Sequence, residues 1–286
     1  MDTNGVDYIK SKMPTIGLGT YLMTSPDVEE AVKEALKCGY RMIDTAQVYR
    51  NEKYIGEALK ECERDLGIKR EEIFLISKLH PRSNGAAAYD SVKESLRALD
   101  TNYIDLFLIH WPGKTRFKAS DKRNQQARID AWRGLEKAYE EGLVRAIGVS
   151  NFELAHLEHL FSFSSVHPAV NQCEFHPLYR PNEVIEWCRN NNVHFQAYSS
   201  LGTSDSNILL DDNKFQRIAA QLNCTIPQLL LAYALSQGIS VLPKSTNPCH
   251  IRENFDAIKI KLNPDQIRTM EIEQDHKLCW DPSKVY

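Results

Sequence analysis

Eight short apolar runs recur along this chain, and segments with helical spacing separate them. The runs are Pro14 to Tyr21, Arg41 to Ile43, Ile73 to Lys78, Ile104 to His110, Val144 to Asn151, Ala169 to Cys173, Val193 to Ser199 and Ile239 to Lys244. Several are apolar throughout, as parallel strands covered on both faces are. Asp27 to Cys38 carries Val28, Val32, Ala35 and Leu36 on one side, and Ala86 to Leu99 repeats that spacing. Tyr54 to Leu66, Glu153 to Phe161, Pro181 to Asn190, Phe215 to Leu222 and Pro227 to Ser236 also read as helices. Strand and helix alternating in this way predict an α/β fold, a (β/α)8 TIM barrel. Such barrels run to about 250 residues as one unit. No Gly/Ser linker or low-complexity tract divides the 286 residues, so 1–286 reads as a single domain. Its tail, from about residue 262, is expected over the barrel mouth.

The formal net charge of -3 argues against nucleic acid or anionic lipid as the main partner. No apolar run approaches the ~18 residues of a membrane helix. The 7 cysteines are scattered, form no C-x-x-C pair and read as reduced thiols. The polar stretch Met1 to Lys10 is unlike a signal peptide. A cytoplasmic monomer with a small-molecule partner is the expectation.

Strands of such a barrel end at one mouth. The polar residues where these strands run out are Asp44, Lys78, His110, Asn151, Gln172, Tyr198 and Lys244, with Tyr49 in the loop after Asp44. A carboxylate, an ammonium, an imidazole and a phenol together suit proton transfer to a carbonyl oxygen. A phenol with a pKa of ~10 is a poor acid at neutral pH, and a neighbouring lysine is expected to lower that value. Each residue alone has a plainer reading: Asp44 as a cap, Lys78 as a solvated cation, His110 as a structural histidine, Tyr49 as packing. Their occurrence together, three at strand ends and Tyr49 in the loop after one of them, carries the catalytic reading. No H-x-H pair or dense His/Asp cluster marks a metal site, so a metal hydrolase is poorly supported.

At these positions the sequence resembles the aldo-keto reductases. The motifs are Gly17-Leu18-Gly19-Thr20-Tyr21, Asp44-Thr45-Ala46-x-x-Tyr49, Ser77-Lys78-Leu79, Leu108-Ile109-His110-Trp111-Pro112, Gly148-Val149-Ser150-Asn151-Phe152, Asn171-Gln172, Tyr198-Ser199-Ser200-Leu201-Gly202 and Pro243-Lys244-Ser245-Thr246. The resemblance implies reduction of aldehydes and ketones with NADP(H), with NAD(H) as the alternative cofactor. It implies Tyr49 as general acid, Lys78 and Asp44 as its tuning pair and His110 as the group that orients the carbonyl. It implies that Tyr198 lies against the nicotinamide and that Ser150, Asn151 and Gln172 hold its carboxamide. Gly19, Thr20, Tyr21 and Asp44 would line that end, and Ser199 and Leu201 would border the pyrophosphate. Lys244, Ser245 and Thr246 would meet the 2'-phosphate, and Glu253 and Asn254 the adenine. His250 stands where many relatives have an arginine, which predicts weaker discrimination against NAD(H). Arg252 is a candidate to compensate.

Tyr21, Tyr49, His110, Trp111 and Trp280 are the candidate substrate wall, whereas Trp132 reads as helix packing. The stretch Gly113 to Arg128 is expected as a polar loop, with six cations against the single acid Asp121. Such runs are usually solvated; the alternative is a preference for anionic carbonyl compounds. The tail is short for relatives that enclose steroids, which favours a small aldehyde, an α-dicarbonyl or a keto ester. A non-catalytic, NADP(H)-binding relative, as a channel subunit or structural protein, is the competing reading.

Overall fold

Each strand of the barrel lies beside its sequence neighbours, and all pair in parallel. A computed structural model describes residues 4–203, 207–272 and 276–286. The strands are β1 (Leu18–Gly19), β2 (Met42–Asp44), β3 (Phe74–Leu79), β4 (Ile104–Ile109), β5 (Val144–Ser150), β6 (Val170–Glu174), β7 (His194–Tyr198) and β8 (Ser240–Val241). A parallel bridge between Ile16 and Val241 joins the last strand to the first, so the expected (β/α)8 barrel forms as one domain.

The helices are α1 (Asn4–Lys12), α2 (Asp27–Cys38), α3 (Glu52–Leu66), α4 (Ala88–Leu99), α5 (Arg123–Glu140) and α6 (Leu154–Phe163). They continue with α7 (Asn182–Asn190), α8 (Asn213–Gln221), α9 (Ile226–Leu235), α10 (Pro248–Asp256) and α11 (Pro264–Met270). In α2 the buried residues Val28, Ala31, Val32, Ala35 and Leu36 form one apolar stripe against the barrel. Gly39, at φ 113, ends that helix in the left-handed region by donating to the Ala35 and Leu36 carbonyls.

Side chains alternate across each strand, and the register sorts them into two cores. Met42, Phe74, Ile76, Leu106, Leu108, Ala146 and Val170 fill the barrel interior. Ile43, Leu75, Phe107, Ile147 and Ala197 face outward to the helices. The helix α1 is a departure from expectation: Asn4–Lys12 had no assigned structure in the sequence reading. It buries Ile9 against the interior cluster, at the end of the barrel where the strands begin. Tyr8 fastens it by donating to Asp105 Oδ1 at 2.5 Å, while Arg70 and the Leu75 amide bond Oδ2 of the same carboxylate.

The expected loop from Gly113 to Arg128 is also corrected, because α5 begins at Arg123. Arg128 is buried rather than solvated and donates from Nη1 to the Pro112 and Tyr286 carbonyls. Trp132 is fully buried in the same helix, its Nε1 donating to the Val166 carbonyl, as its amphipathic setting predicts. All 7 cysteines are unpaired. No single helix among the described residues is long and apolar enough to cross a membrane.

Candidate active site

Register decides which strand-end residues meet. Met42 pairs with Phe74 and Asp44 with Ile76, both interior positions, so Asp44 points inward at the top of β2. Lys78 pairs with the interior Leu108 and points inward one level higher. The Lys78 ammonium donates to Asp44 Oδ1 at 2.6 Å and to the Thr45 carbonyl at 3.0 Å. Both side chains are shielded from water. Gln172 Nε2 bonds the other oxygen, Asp44 Oδ2, at 2.9 Å and also donates to Gln196 Oε1. The carboxylate is thus held on both oxygens.

Tyr49 closes the single turn Gln47–Tyr49 after β2. Its ring centroid lies 5.2 Å from Lys78 Nζ, 5.7 Å from the His110 ring and 5.1 Å from the Tyr21 ring. Asp44, Tyr49, Lys78 and His110, predicted from four separate stretches, are therefore one cluster. Burial, the Asp44 charge and Tyr21 push the Tyr49 phenol well above its ordinary pKa. Burial and the Asp44 charge, not the expected lowering by the lysine, set the direction of the shift. The ammonium is engaged by Asp44 and the Thr45 carbonyl, and the half-buried Tyr49 keeps its phenolic proton. Burial pushes the Lys78 ammonium down, against the opposing pull of Asp44. Burial, then the charges of Lys78 and His80, hold the His110 imidazole well below its ordinary range. A neutral His110 carries one N–H and suits hydrogen-bond donation to a carbonyl oxygen. Its Nδ1 is buried without a partner among the described residues.

The remaining mouth residues bond largely to one another. Ser150 Oγ donates to the Gln172 carbonyl, Asn151 Nδ2 to the His110 carbonyl, and the Tyr198 hydroxyl to Asn151 Oδ1 at 2.6 Å. Thr20 is buried with its Oγ1 on the Asp44 carbonyl. Gly19 leaves no room for a side chain, because a Cβ there would lie 2.8 Å from the Leu242 carbonyl oxygen. Tyr21 is partly exposed beside Tyr49, and Leu22, at φ 60, is 64% exposed next to it. Trp111 is half-buried after β4, and Trp280 is 72% exposed.

Sequence reasoning missed Thr45, Asn51, Gln196 and Glu174. Asn51 is buried, accepts from Thr45 Oγ1 and donates to the Thr20 and Met23 carbonyls, tying the loops after β1 and β2 together. Its place just ahead of a helix was the available signal. Glu174, fully buried at the end of β6, accepts from His176, Lys277 and the Leu278 and Cys279 amides.

A family model described as the Aldo/keto reductase family matches residues 15–273. The chain belongs to the aldo-keto reductase family. It is 36% identical over 281 residues to the 9,11-endoperoxide prostaglandin H2 reductase of Trypanosoma cruzi, covering 96% of this chain and 93% of that one. It is 35% identical over 285 residues to the glyoxal reductase of Bacillus subtilis, covering 99% and 95% of the two chains. The crystal structure of an aldo-keto reductase from a Medee basin deep-sea metagenome superposes with a TM-score of 0.87 at 36% identity, covering 96% of each chain. The protein is an oxidoreductase of a carbonyl-reducing family that uses nicotinamide cofactors.

The reductase has residues that fit such a cofactor. Ser199, at φ 51, and the buried Ser200, whose Oγ has no partner among the described residues, offer hydroxyls after β7. Lys244 and Thr246 are exposed after β8, and the Asn247 amide donates to Ser245 Oγ. His250 is exposed on α10, Asn254 is buried, and Glu253 accepts from Thr225 Oγ1. Leu201 is half-buried against the core. Arg252 does not reach toward Lys244 as a free cation; it is ion-paired with Glu34 on α2. Among the described residues no three His, Cys, Asp or Glu side chains gather as metal ligands do.

Proposed function

We propose that this reductase converts small aldehydes and ketones to alcohols, with NADPH as the preferred reductant. The observation that carries the reading is the buried Lys78–Asp44 pair with Lys78 Nζ 5.2 Å from the Tyr49 ring centroid and the His110 ring 5.7 Å from it. When bound, the reduced nicotinamide supplies hydride to the carbonyl carbon. Tyr49, whose phenol is held protonated, gives its proton to the carbonyl oxygen as charge develops there. Neutral His110 donates a hydrogen bond to the same oxygen and fixes its position. Lys78 sets a positive charge near the phenolate that forms, and Asp44 keeps that ammonium in place. Gly19, Thr20 and Tyr21, with Ser150, Asn151, Gln172 and Tyr198, are assigned to the nicotinamide end, where the internal hydrogen bonds just described preset their geometry.

Lys244, Ser245 and Thr246 are assigned to the 2'-phosphate, and Ser199 and Leu201 to the pyrophosphate. With His250 in the position of the usual arginine and Arg252 engaged by Glu34, discrimination against NADH is modest. Tyr21, Trp111 and Trp280 supply an aromatic wall for a small substrate. The free thiols suit a reducing compartment, and a cytoplasmic monomer remains the assignment.

Replacing Tyr49 by Phe tests the mechanism. Reduction of 4-nitrobenzaldehyde should fall by about 10²–10⁴-fold while NADPH still binds by fluorescence titration. Retained turnover removes Tyr49 from the acid role. A higher kcat/KM with NADH than with NADPH overturns the cofactor assignment.

A further inference from the structure

One arc of the mouth carries positive charge that proton transfer does not use. Arg50 follows Tyr49 directly and is held in the left-handed region at φ 59, with its side chain exposed. The His80 amide donates to Gln47 Oε1 at 2.8 Å, which fastens the loop after β3 to the turn that carries Tyr49. The Arg82 amide donates to His80 Nδ1 at 3.0 Å, and the Thr115 amide donates to the Pro81 carbonyl at 3.1 Å. The second bond draws the loop after β4 onto the loop after β3 and brings Lys114 and Arg116 to the same arc. Burial, then the charges of Arg82 and Arg50, lower the His80 imidazole.

No carboxylate among the described residues neutralises these cations, although Lys114 Nζ lies 6.0 Å from the Phe117 ring centroid. Among the described residues, none of Arg50, Arg82, Lys114 and Arg116 has a carboxylate within ion-pair distance. Elsewhere on the surface Lys33, Lys60, Arg64 and Arg252 are each paired. The one acid of the loop, Asp121, is taken by Arg123. The arc follows β2, β3 and β4, whereas the residues assigned to the 2'-phosphate follow β8, so it does not belong to that phosphate site.

We infer that this basic arc selects carbonyl substrates that carry a carboxylate, with Arg50, Arg82, Lys114 and Arg116 as specificity-determining residues. The inference rests on the carbonyl-reduction reading and deepens it. An arginine fork matches a carboxylate on two oxygens, and unpaired cations at a mouth also raise the local concentration of anions. Each exposed contact is weak alone and screened by salt, but four of one sign act together.

The test compares 4-carboxybenzaldehyde with its methyl ester, which presents the same reacting aldehyde without the charge. At low ionic strength kcat/KM for the acid should exceed that for the ester by about tenfold, a ratio that corresponds to about 1.4 kcal/mol. The ratio should shrink as salt rises from about 0.02 M to about 0.5 M. It should fall toward one in Arg50→Gln/Arg82→Gln. Equal efficiency for the two compounds, or a ratio that survives both salt and the double substitution, overturns the inference alone. Failure to reduce either compound removes the carbonyl-reduction reading and the inference with it.

Discussion

Lys78 Nζ and Asp44 Oδ1 lie 2.6 Å apart inside the barrel, and neither side chain reaches water. A buried pair of this kind contributes little net stability when complete, but removing one partner leaves an uncompensated charge. Lys78→Met should therefore cost about 3–5 kcal/mol in urea unfolding and abolish measurable reduction. Adding Asp44→Asn should recover much of that stability without restoring turnover. Recovery of both would show that the pair is a folding device alone.

The proton on Tyr49 sets the direction in which pH acts. Burial, Asp44 and Tyr21 all raise the phenol above its ordinary value, so it is protonated throughout the neutral and mildly alkaline range. His110 is held below its ordinary range and is neutral over the same interval. The kcat/KM for carbonyl reduction should accordingly be flat from about pH 6 to about pH 9, because neither group changes state there. Alcohol oxidation needs the deprotonated phenol and should rise with pH across that interval. Parallel pH profiles of both directions check this, and a reduction rate that falls with a midpoint near neutrality contradicts it.

What the sequence made legible was chemistry that interrupts an apolar run. Asp44, Lys78 and His110 each end such a run, so the site could be placed from strand ends before any register was known. Residues inside a run were silent in the same reading. Gln196 bonds Gln172 from within β7; Glu174 lies just past the run that ends at Cys173, where nothing local separates a buried carboxylate from an exposed one. Arg128 stood in a basic stretch and looked like its neighbours, yet tertiary packing buries it. The helix α1 was missed because its three apolar residues, Val6, Tyr8 and Ile9, sit in a short polar segment whose helix is secured by long-range contacts to Asp105 and the interior core. The runs around β1 and β8 looked as long as the others, but each forms a strand of only two residues, with Ile16 adding a single bridge to Val241.

The pairing of Arg252 with Glu34 bears on cofactor choice. Glu34 lies on α2 and holds a guanidinium two residues beyond His250 on the helix assigned to the adenosine phosphate. Glu34→Gln removes the competing carboxylate and should raise the NADPH/NADH ratio of kcat/KM by about threefold, within the range of one exposed charge contact. Both residues lie at the surface or near it, so folding should be little affected. An unchanged ratio means that Arg252 cannot reach the phosphate even when released.

Glu174 fastens the chain's last described segment to the barrel, and its titration should appear in acid stability. Its Oε1 accepts from His176 Nε2 at 2.9 Å and the Leu278 amide at 2.6 Å, while Oε2 lies 2.9 Å from Lys277 Nζ and accepts from the Cys279 amide at 3.1 Å. Burial alone would raise this carboxyl, but the His176 hydrogen bond, the Lys277 charge and the Leu278 amide outweigh it and hold it at about 2. The folded value lies below the ordinary 4.5, so the stabilisation is fully present above about 4.5 and is lost as pH falls toward about 2. The difference corresponds to about 3 kcal/mol at neutral pH. Between pH 7 and about pH 3 the urea midpoint of the native chain should therefore fall further than that of Glu174→Gln, which has no proton to gain. The same substitution should expose residues 276–286 to limited proteolysis at neutral pH, because Gln offers one acceptor oxygen where the carboxylate offers two. Identical acid sensitivity in the two proteins would assign the loss to other groups, among them His156 and His194, which burial lowers to about 4.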